Sequence, residues 1–205
     1  MKLFCVFCIL FFGLILVNCD LSDKPEACKT PEQWQGSFYS YDSIKQIRII
    51  GNISYDAVNK RERIFQLFIL PQKNQSYDML YLYNQKSLQV NNLVKKSCSK
   101  ISLTRPWTDF GILPNSKFFG SNYLGSNKLD ESGLKIQTWK DEFDDSDGNR
   151  VFHVSTWTFK NCLPVFDNYI TKGSSLHTMY MDITPGIKDE SVFESSEVCD
   201  ETKMD

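Results

Sequence analysis

The stretch Arg150–Val165, Arg-Val-Phe-His-Val-Ser-Thr-Trp-Thr-Phe-Lys-Asn-Cys-Leu-Pro-Val, restricts the fold more than any other. Arg150 to Phe159 is a run of β-branched and aromatic character with no helical gap, which predicts a strand. Asn161-Cys162 marks a turn, and Pro164 prevents the strand from continuing unchanged. Val151, His153, Ser155, Trp157 and Phe159 fall on one face, and Phe152, Val154, Thr156 and Thr158 on the other. A strand apolar on both faces is covered on both, so this one is central, and it ends in a cysteine. It reads as scaffold and cavity wall, with Phe152 and Val154 on the cavity side.

The rest of the chain repeats this grammar. In Ile44–Tyr55, Ile47, Ile49, Gly51, Ile53 and Tyr55 share a face. In Arg61–Leu70, Phe65, Leu67 and Ile69 face one way and Ile64, Phe68 and Leu70 the other. Asp78–Asn84 and Lys86–Val90 form a hairpin, and Leu134–Phe143 places Trp139 opposite Leu134 and Ile136. Ser174–Thr184 is a long last strand, while Thr108–Ser121 is irregular. About ten strand candidates, no helical period, no repeat and no linker predict one all-β domain, an antiparallel sandwich or barrel. With 15 Phe, 9 Tyr and 4 Trp, the chain has more bulk than a filled core needs, which points to a lined cavity.

Met1-Lys2 precedes an apolar run from Leu3 to Val17, too short to span a membrane and laid out as a secretory signal. Cleavage after Cys19 divides the chain into a removed signal, 1–19, and a single domain, 20–205. It also takes Cys5, Cys8 and Cys19 with it. Cys28, Cys98, Cys162 and Cys199 remain, an even set that predicts two disulfides with three possible pairings. Asn52-Ile-Ser54 and Asn74-Gln-Ser76 are glycosylation sequons, consistent with secretion. Losing Lys2 moves the net charge from −2 to −3, and no basic stripe exists to bind nucleic acid.

Taken in order, several short blocks resemble the ependymin-related proteins. They are Cys28-Lys-Thr-Pro31 with Trp34-Gln-Gly36, Ser54-Tyr-Asp56, Asn59-Lys-Arg61-Glu-Arg63, Cys98-Ser-Lys-Ile-Ser-Leu-Thr-Arg-Pro-Trp107, Leu113-Pro-Asn-Ser116, Asn161-Cys-Leu-Pro164 and Asp182-Ile-Thr-Pro-Gly-Ile-Lys-Asp189, followed by Val192-Phe193 and Cys199. The resemblance implies a secreted glycoprotein, with the lysosomal lumen as the alternative. Its fold would be a half-open antiparallel β-sandwich of two curved sheets around an apolar pocket, like bacterial lipoprotein carriers. It further implies binding of a lipid or other hydrophobic molecule, a homodimer, an association with calcium and cell–matrix contact, and no catalytic residues. By position it pairs Cys28 with Cys162 and Cys98 with Cys199.

For the pocket, the candidates are Phe65, Leu67, Ile69, Leu80, Leu82, Trp139, Phe152, Val154, Met179 and Met181, the two methionines offering an adaptable surface. Asp144, Asp145 and Asp147, in the acidic turn before Arg150, offer the hard oxygen ligands calcium prefers. That turn lacks the remaining positions of an EF-hand, and its Asp and Asn residues equally suit a solvated hairpin tip. The only histidines, His153 and His177, lie in strand patterns as structural residues. No Gly-x-Ser-x-Gly elbow, His-Glu-x-x-His helix or phosphate loop occurs, so the reading is a binding protein and not an enzyme. No cofactor is required, with calcium an option. The rival reading is a calcium-dependent adhesion glycoprotein that contacts extracellular matrix through its surface.

Overall fold

The period-two alternation becomes eleven strands in the computed structural model, which describes residues 25–129, 132–145 and 148–200. They are β1 Gln33–Asp42, β2 Ile47–Asp56, β3 Arg61–Ile69, β4 Gln75–Leu82, β5 Ser87–Asn92, β6 Ser97–Ser102, β7 Lys117–Gly125, β8 Gly133–Asp144, β9 Arg150–Thr158, β10 Pro164–Thr171 and β11 Ser174–Pro185. The expected signal segment, 1–19, lies outside the described residues. Among the described residues no helix is long and apolar enough to cross a membrane.

All eleven strands join one antiparallel sheet in the order β6-β5-β4-β3-β2-β1-β11-β10-β9-β8-β7. The all-β, open antiparallel class is as expected. The two expected sheets are instead the two halves of a continuous one, joined where β1 pairs with β11. Pro164 does not end the structure there but opens β10, at a register shift against β9 that tolerates a missing N–H. Asn161 and Cys162, both at positive φ, make the preceding turn.

Three hairpins turn by the same device. Asp42 Oδ1 accepts from the N–H groups of Ile44 and Lys45, Asp56 Oδ1 from Asn59, and Asn92 Oδ1 from Val94 and Lys95. Each turn then closes through a residue in the left-handed region, Gln46, Lys60 or Lys96.

The segment 103–116 joins the two sheet edges, β6 to β7, and crosses one face as a strap. The Phe110 ring lies 5.9 Å from Tyr55 on β2 and 5.7 Å from Trp157 on β9. Those strands are four spacings apart, about 19 Å in a flat sheet. One ring can touch both only because the sheet folds around it into a trough. Trp34, Phe38, Ile53 and Tyr55 form the trough floor, with Trp107 and Phe110 of the strap packed against it. Gly51 is required there, since a Cβ would sit 2.5 Å from the Phe38 ring. Ile112 carries the strap on to Trp139, Trp157 and Cys162.

Both ends of the chain are stapled at long range. Cys28 bonds Cys162, holding the N-terminal lead-in over the strapped end, and Cys98 bonds Cys199. The C-terminal segment packs on the convex side of β3–β6. There Arg63 grips Asp78 through two nitrogens and donates to the carbonyls of Val192 and Glu194.

Candidate functional site

The concave face of the trough is fixed by register. Its positions include Ile47, Ile49 and Tyr55 on β2; Glu62, Ile64, Gln66 and Phe68 on β3; and Tyr77, Met79 and Tyr81 on β4. From the other half come Leu176, Thr178 and Tyr180 on β11, Tyr169 on β10, His153 on β9, and Trp139, Asp141 and Phe143 on β8. The strap and lead-in close the end at Trp34 and Trp157. Toward Asp42, Phe68 and Phe143 no segment crosses the described trough. Along this wall large side chains such as Ile64, Phe68, Tyr77, Leu176 and Tyr180 are only partly covered.

Two properties coexist there. Burial pushes the Tyr180 phenol far above its ordinary value, with Asp167, Tyr169 and Glu62 adding to it, and raises Tyr169 in the same way. Yet both keep accessible surface, 39% for Tyr169. Enclosed by protein on most sides and still reachable by solvent, both phenols stand on the concave wall of the trough.

The wall has one paired polar belt. His153, buried, bridges two carboxylates: Nδ1 to Asp141 Oδ1 at 2.9 Å and Nε2 to Asp167 Oδ1 at 2.5 Å. The Ser116 hydroxyl at the end of the strap donates to the other Asp141 oxygen at 2.6 Å. Tyr169 covers the imidazole at 4.3 Å between ring centroids. The belt thus ties β8, β9, β10 and the strap together. Glu62 is its counterpart on the opposite half, and burial raises its carboxyl to about 7, with the Arg105 charge partly offsetting this. Two open clefts, about 610 and 550 Å³, flank the closed end outside the trough. One is lined by Pro25, Glu26, Lys29, Phe159 and neighbours, the other by Lys60, Tyr83, Lys86, Arg105 and neighbours. Their linings mix charged, polar and apolar side chains, and neither includes a concave residue of β3, β4, β9 or β10.

The Ependymin family profile matches residues 71–199, more than half of the chain. The chain belongs to the ependymin family. It is similar to mammalian ependymin-related protein 1 of Rattus norvegicus, 29% identical over 182 residues, covering 85% of this chain and 77% of that one. It is also similar to ependymin-2 of Carassius auratus, 21% identical over 193 residues, covering 94% and 88%. Among solved structures it resembles an uncharacterized conserved protein from Thermus thermophilus, with a TM-score of 0.52 at 9% identity over 82% of this chain and 87% of that one. A LolA superfamily protein from Nitrosomonas europaea aligns at a TM-score of 0.47 and 11% identity, covering 80% and 91%.

Of the ten residues expected to line the pocket of this ependymin-family chain, only Trp139 is on the concave side. Phe65, Leu67, Ile69, Leu80, Leu82, Phe152, Val154, Met179 and Met181 are on the convex side. The reason is parity. These strands carry apolar residues on both faces, so alternation gives two candidate sets without saying which faces inward. Leu80 is buried beneath the C-terminal segment, while Phe65, Phe152 and Met179 are exposed. On β9 the inward set is Val151, His153, Ser155 and Trp157. Sequence reasoning missed Glu62, Asp141, Asp167 and Tyr180. Glu62 had a signal, because it shares the face of Ile64 and Phe68 on β3 and a charge on such a face needs a reason.

The cysteines are joined as the resemblance implies. Both sequon asparagines are exposed, Asn52 on convex β2 and Asn74 in the β3–β4 loop. His177 is held by Ser175 and Asn168. In the acidic turn, Asp145 accepts from the Asn149 backbone at 2.8 Å and from its side chain, and Asp144 pairs with Arg150. Asp147 lies outside the described residues. Among the described residues no group of three or more His, Cys, Asp or Glu side chains is arranged to hold a metal.

Proposed function

We propose that the protein is a secreted carrier that holds a lipid or other hydrophobic small molecule in the trough. The observation that carries this reading is the wall of large apolar and aromatic side chains left accessible deep inside the folded sheet, on rigid strands rather than loops. The strap and the Cys28–Cys162 bridge close one end, so a ligand enters from the end marked by Asp42 and Phe68. Family membership is compatible with this, and the signal segment and sequons support export. The carrier reading does not require calcium.

Native mass spectrometry of the intact secreted protein, with analysis of co-purifying organic-soluble material, tests the carrier reading. The expected result is a bound apolar molecule lost on delipidation and regained on adding extract. A protein that leaves the cell empty and takes up nothing afterwards would overturn it.

A second reading concerns the convex face, where Phe152, Ile170 and Met179 are exposed on the neighbouring strands β9, β10 and β11, away from the sequon at Asn52. An apolar strip of this kind suits a protein contact. We propose it as the homodimer surface, with matrix contact made by the assembled dimer.

A further inference from the structure

Resting on the carrier reading, the charges of the trough specify the ligand's head. Arg48, Arg61, Arg63, Lys100, Lys117, Lys140 and Arg150 all sit on convex positions of their strands. Lys135 alone has concave parity, and it lies past the closed end with Nζ 3.9 Å from the Phe159 ring centroid. The concave carboxylates are Asp42, Glu62, Asp141 and Asp167. Asp42 is saturated at the rim by backbone and Ser174 donors, and Asp141 and Asp167 share His153. Glu62 stands apart, since among the described residues no group hydrogen-bonds to its carboxylate.

The surroundings of Glu62 are aromatic. Tyr55 and Tyr81 flank it directly in register. Tyr83 and Tyr180 are close enough for its charge to raise their phenols. Trp107 stacks on Tyr55 at 5.3 Å and meets Tyr83 edge-on at 5.0 Å. Arg105 lies over Tyr81 and Tyr83 at 5.4 and 5.8 Å, a cation already using the outer side of this cluster. A carboxylate with no hydrogen-bond partner, set among electron-rich rings, is chemistry for an ammonium group.

We infer that the closed end of the trough holds the ammonium head of an amphiphile, a primary amine or trimethylammonium, against Glu62, its apolar chain running along β3 and β4. From Glu62 to Phe68 is six residues, about 20 Å of strand. Ile64, Met79, Phe68 and Tyr77 line that path. A carboxylate-headed chain of equal length meets an anionic wall there, and the cation nearby, Arg105, already lies over Tyr81 and Tyr83.

The test uses the full secreted protein loaded with the neutral probe N-phenyl-1-naphthylamine at pH about 8, competed with decyltrimethylammonium, decanol and decanoate below their micellar concentrations. The ammonium chain is expected to displace the probe about tenfold better than decanoate, a factor worth about 1.4 kcal/mol. Glu62→Gln should remove most of that difference and leave decanol unchanged. Should that variant fail to fold, Arg105→Ala serves, since removing the competing cation should tighten ammonium binding. Lowering pH through about 7 should erode the preference in the wild type. Tyr55, Tyr81, Tyr83, Tyr180 and Arg105 face Glu62; the four phenols are all raised by burial, away from this range, and Glu62→Gln isolates the His153 contribution. Equal or tighter decanoate binding, or a preference that survives Glu62→Gln, overturns the inference while leaving the carrier reading standing. Failure of all three chains and the probe to bind overturns both.

Discussion

Replacing His153 with Leu removes the cation from between two buried carboxylates, and the size of the loss follows from the geometry. The side chains of His153, Asp141 and Asp167 are 5%, 8% and 15% exposed, so the small energies of surface ion pairs do not apply. Breaking a buried pair by deleting one partner costs about 3–5 kcal/mol. Ser116 still satisfies one Asp141 oxygen, which places His153→Leu near the lower bound, about 3 kcal/mol. For a domain of this size that is a fall in Tm of about 6–12 °C. The pH dependence adds a signed test. Burial acts to lower the imidazole pKa, but the hydrogen bond and charge of Asp167, then those of Asp141, outweigh it and raise the pKa overall. A raised folded pKa gives stability that is complete below the unfolded value, about 6.5, and is lost as pH rises through the folded one. Urea unfolding followed by tryptophan fluorescence from pH about 6 to 9 should therefore show the wild type losing stability and its gap to His153→Leu narrowing. A variant within about 1 kcal/mol of wild type at pH about 6, or a gap that widens with pH, would refute the reasoning.

Three further perturbations have outcomes set by the same geometry. Burial tends to raise the Asp42 pKa, but donors from Lys45, Ser174, Ser175 and Ile44 hold it at about 2. Asp42→Asn should thus cost about 2 kcal/mol at neutral pH, a gap that closes as pH falls from about 4 toward 2 and is measurable by urea titration at each pH. The Cys28–Cys162 bridge spans a separation of 134 residues, for which chain entropy gives about 5 kcal/mol. The double Cys→Ser variant should melt about 10–20 °C lower by calorimetry, and a drop below about 3 °C would show that the bridge does not staple the lead-in. Met179→Glu combined with Phe152→Glu should dissociate the proposed dimer in sedimentation velocity, whereas an unchanged sedimentation coefficient would move the interface elsewhere.

Strand positions were legible because alternation is enforced residue by residue, as in Ile47–Tyr55 and Arg150–Thr158. The part that was not legible is what crosses which face. The span 108–121 reads as irregular, and its first half is a loop. Trp107 just before it and Phe110 and Ile112 within it, however, pack into the core of the trough against side chains from both halves of the sheet. Alternation carries no information on such a segment, because its side chains are placed by contacts distant in sequence. The usable signal was composition, since three large apolar residues in a stretch broken by Pro and Gly are too costly to leave in water. The second half of the span holds the start of β7, which is hidden for a related reason, its bulge between Phe118 and Gly120 interrupting the alternation.

On β3 the more apolar face is not the inner one. Phe65, Leu67 and Ile69 make the more apolar set, and apolarity alone selects them as the interior. They are the exterior, with Phe65 exposed and Arg63 on the same face gripping the C-terminal segment. The inner set, Glu62, Ile64, Gln66 and Phe68, is mixed. A filled core excludes unpaired polar groups, but a wall that must admit a ligand retains some, because they orient the ligand and give specificity. In an open sheet with two apolar faces, the mixed face is therefore the better candidate for a binding wall. The same rule applied to β9 selects Val151, His153, Ser155 and Trp157 over Phe152 and Val154, and the register agrees.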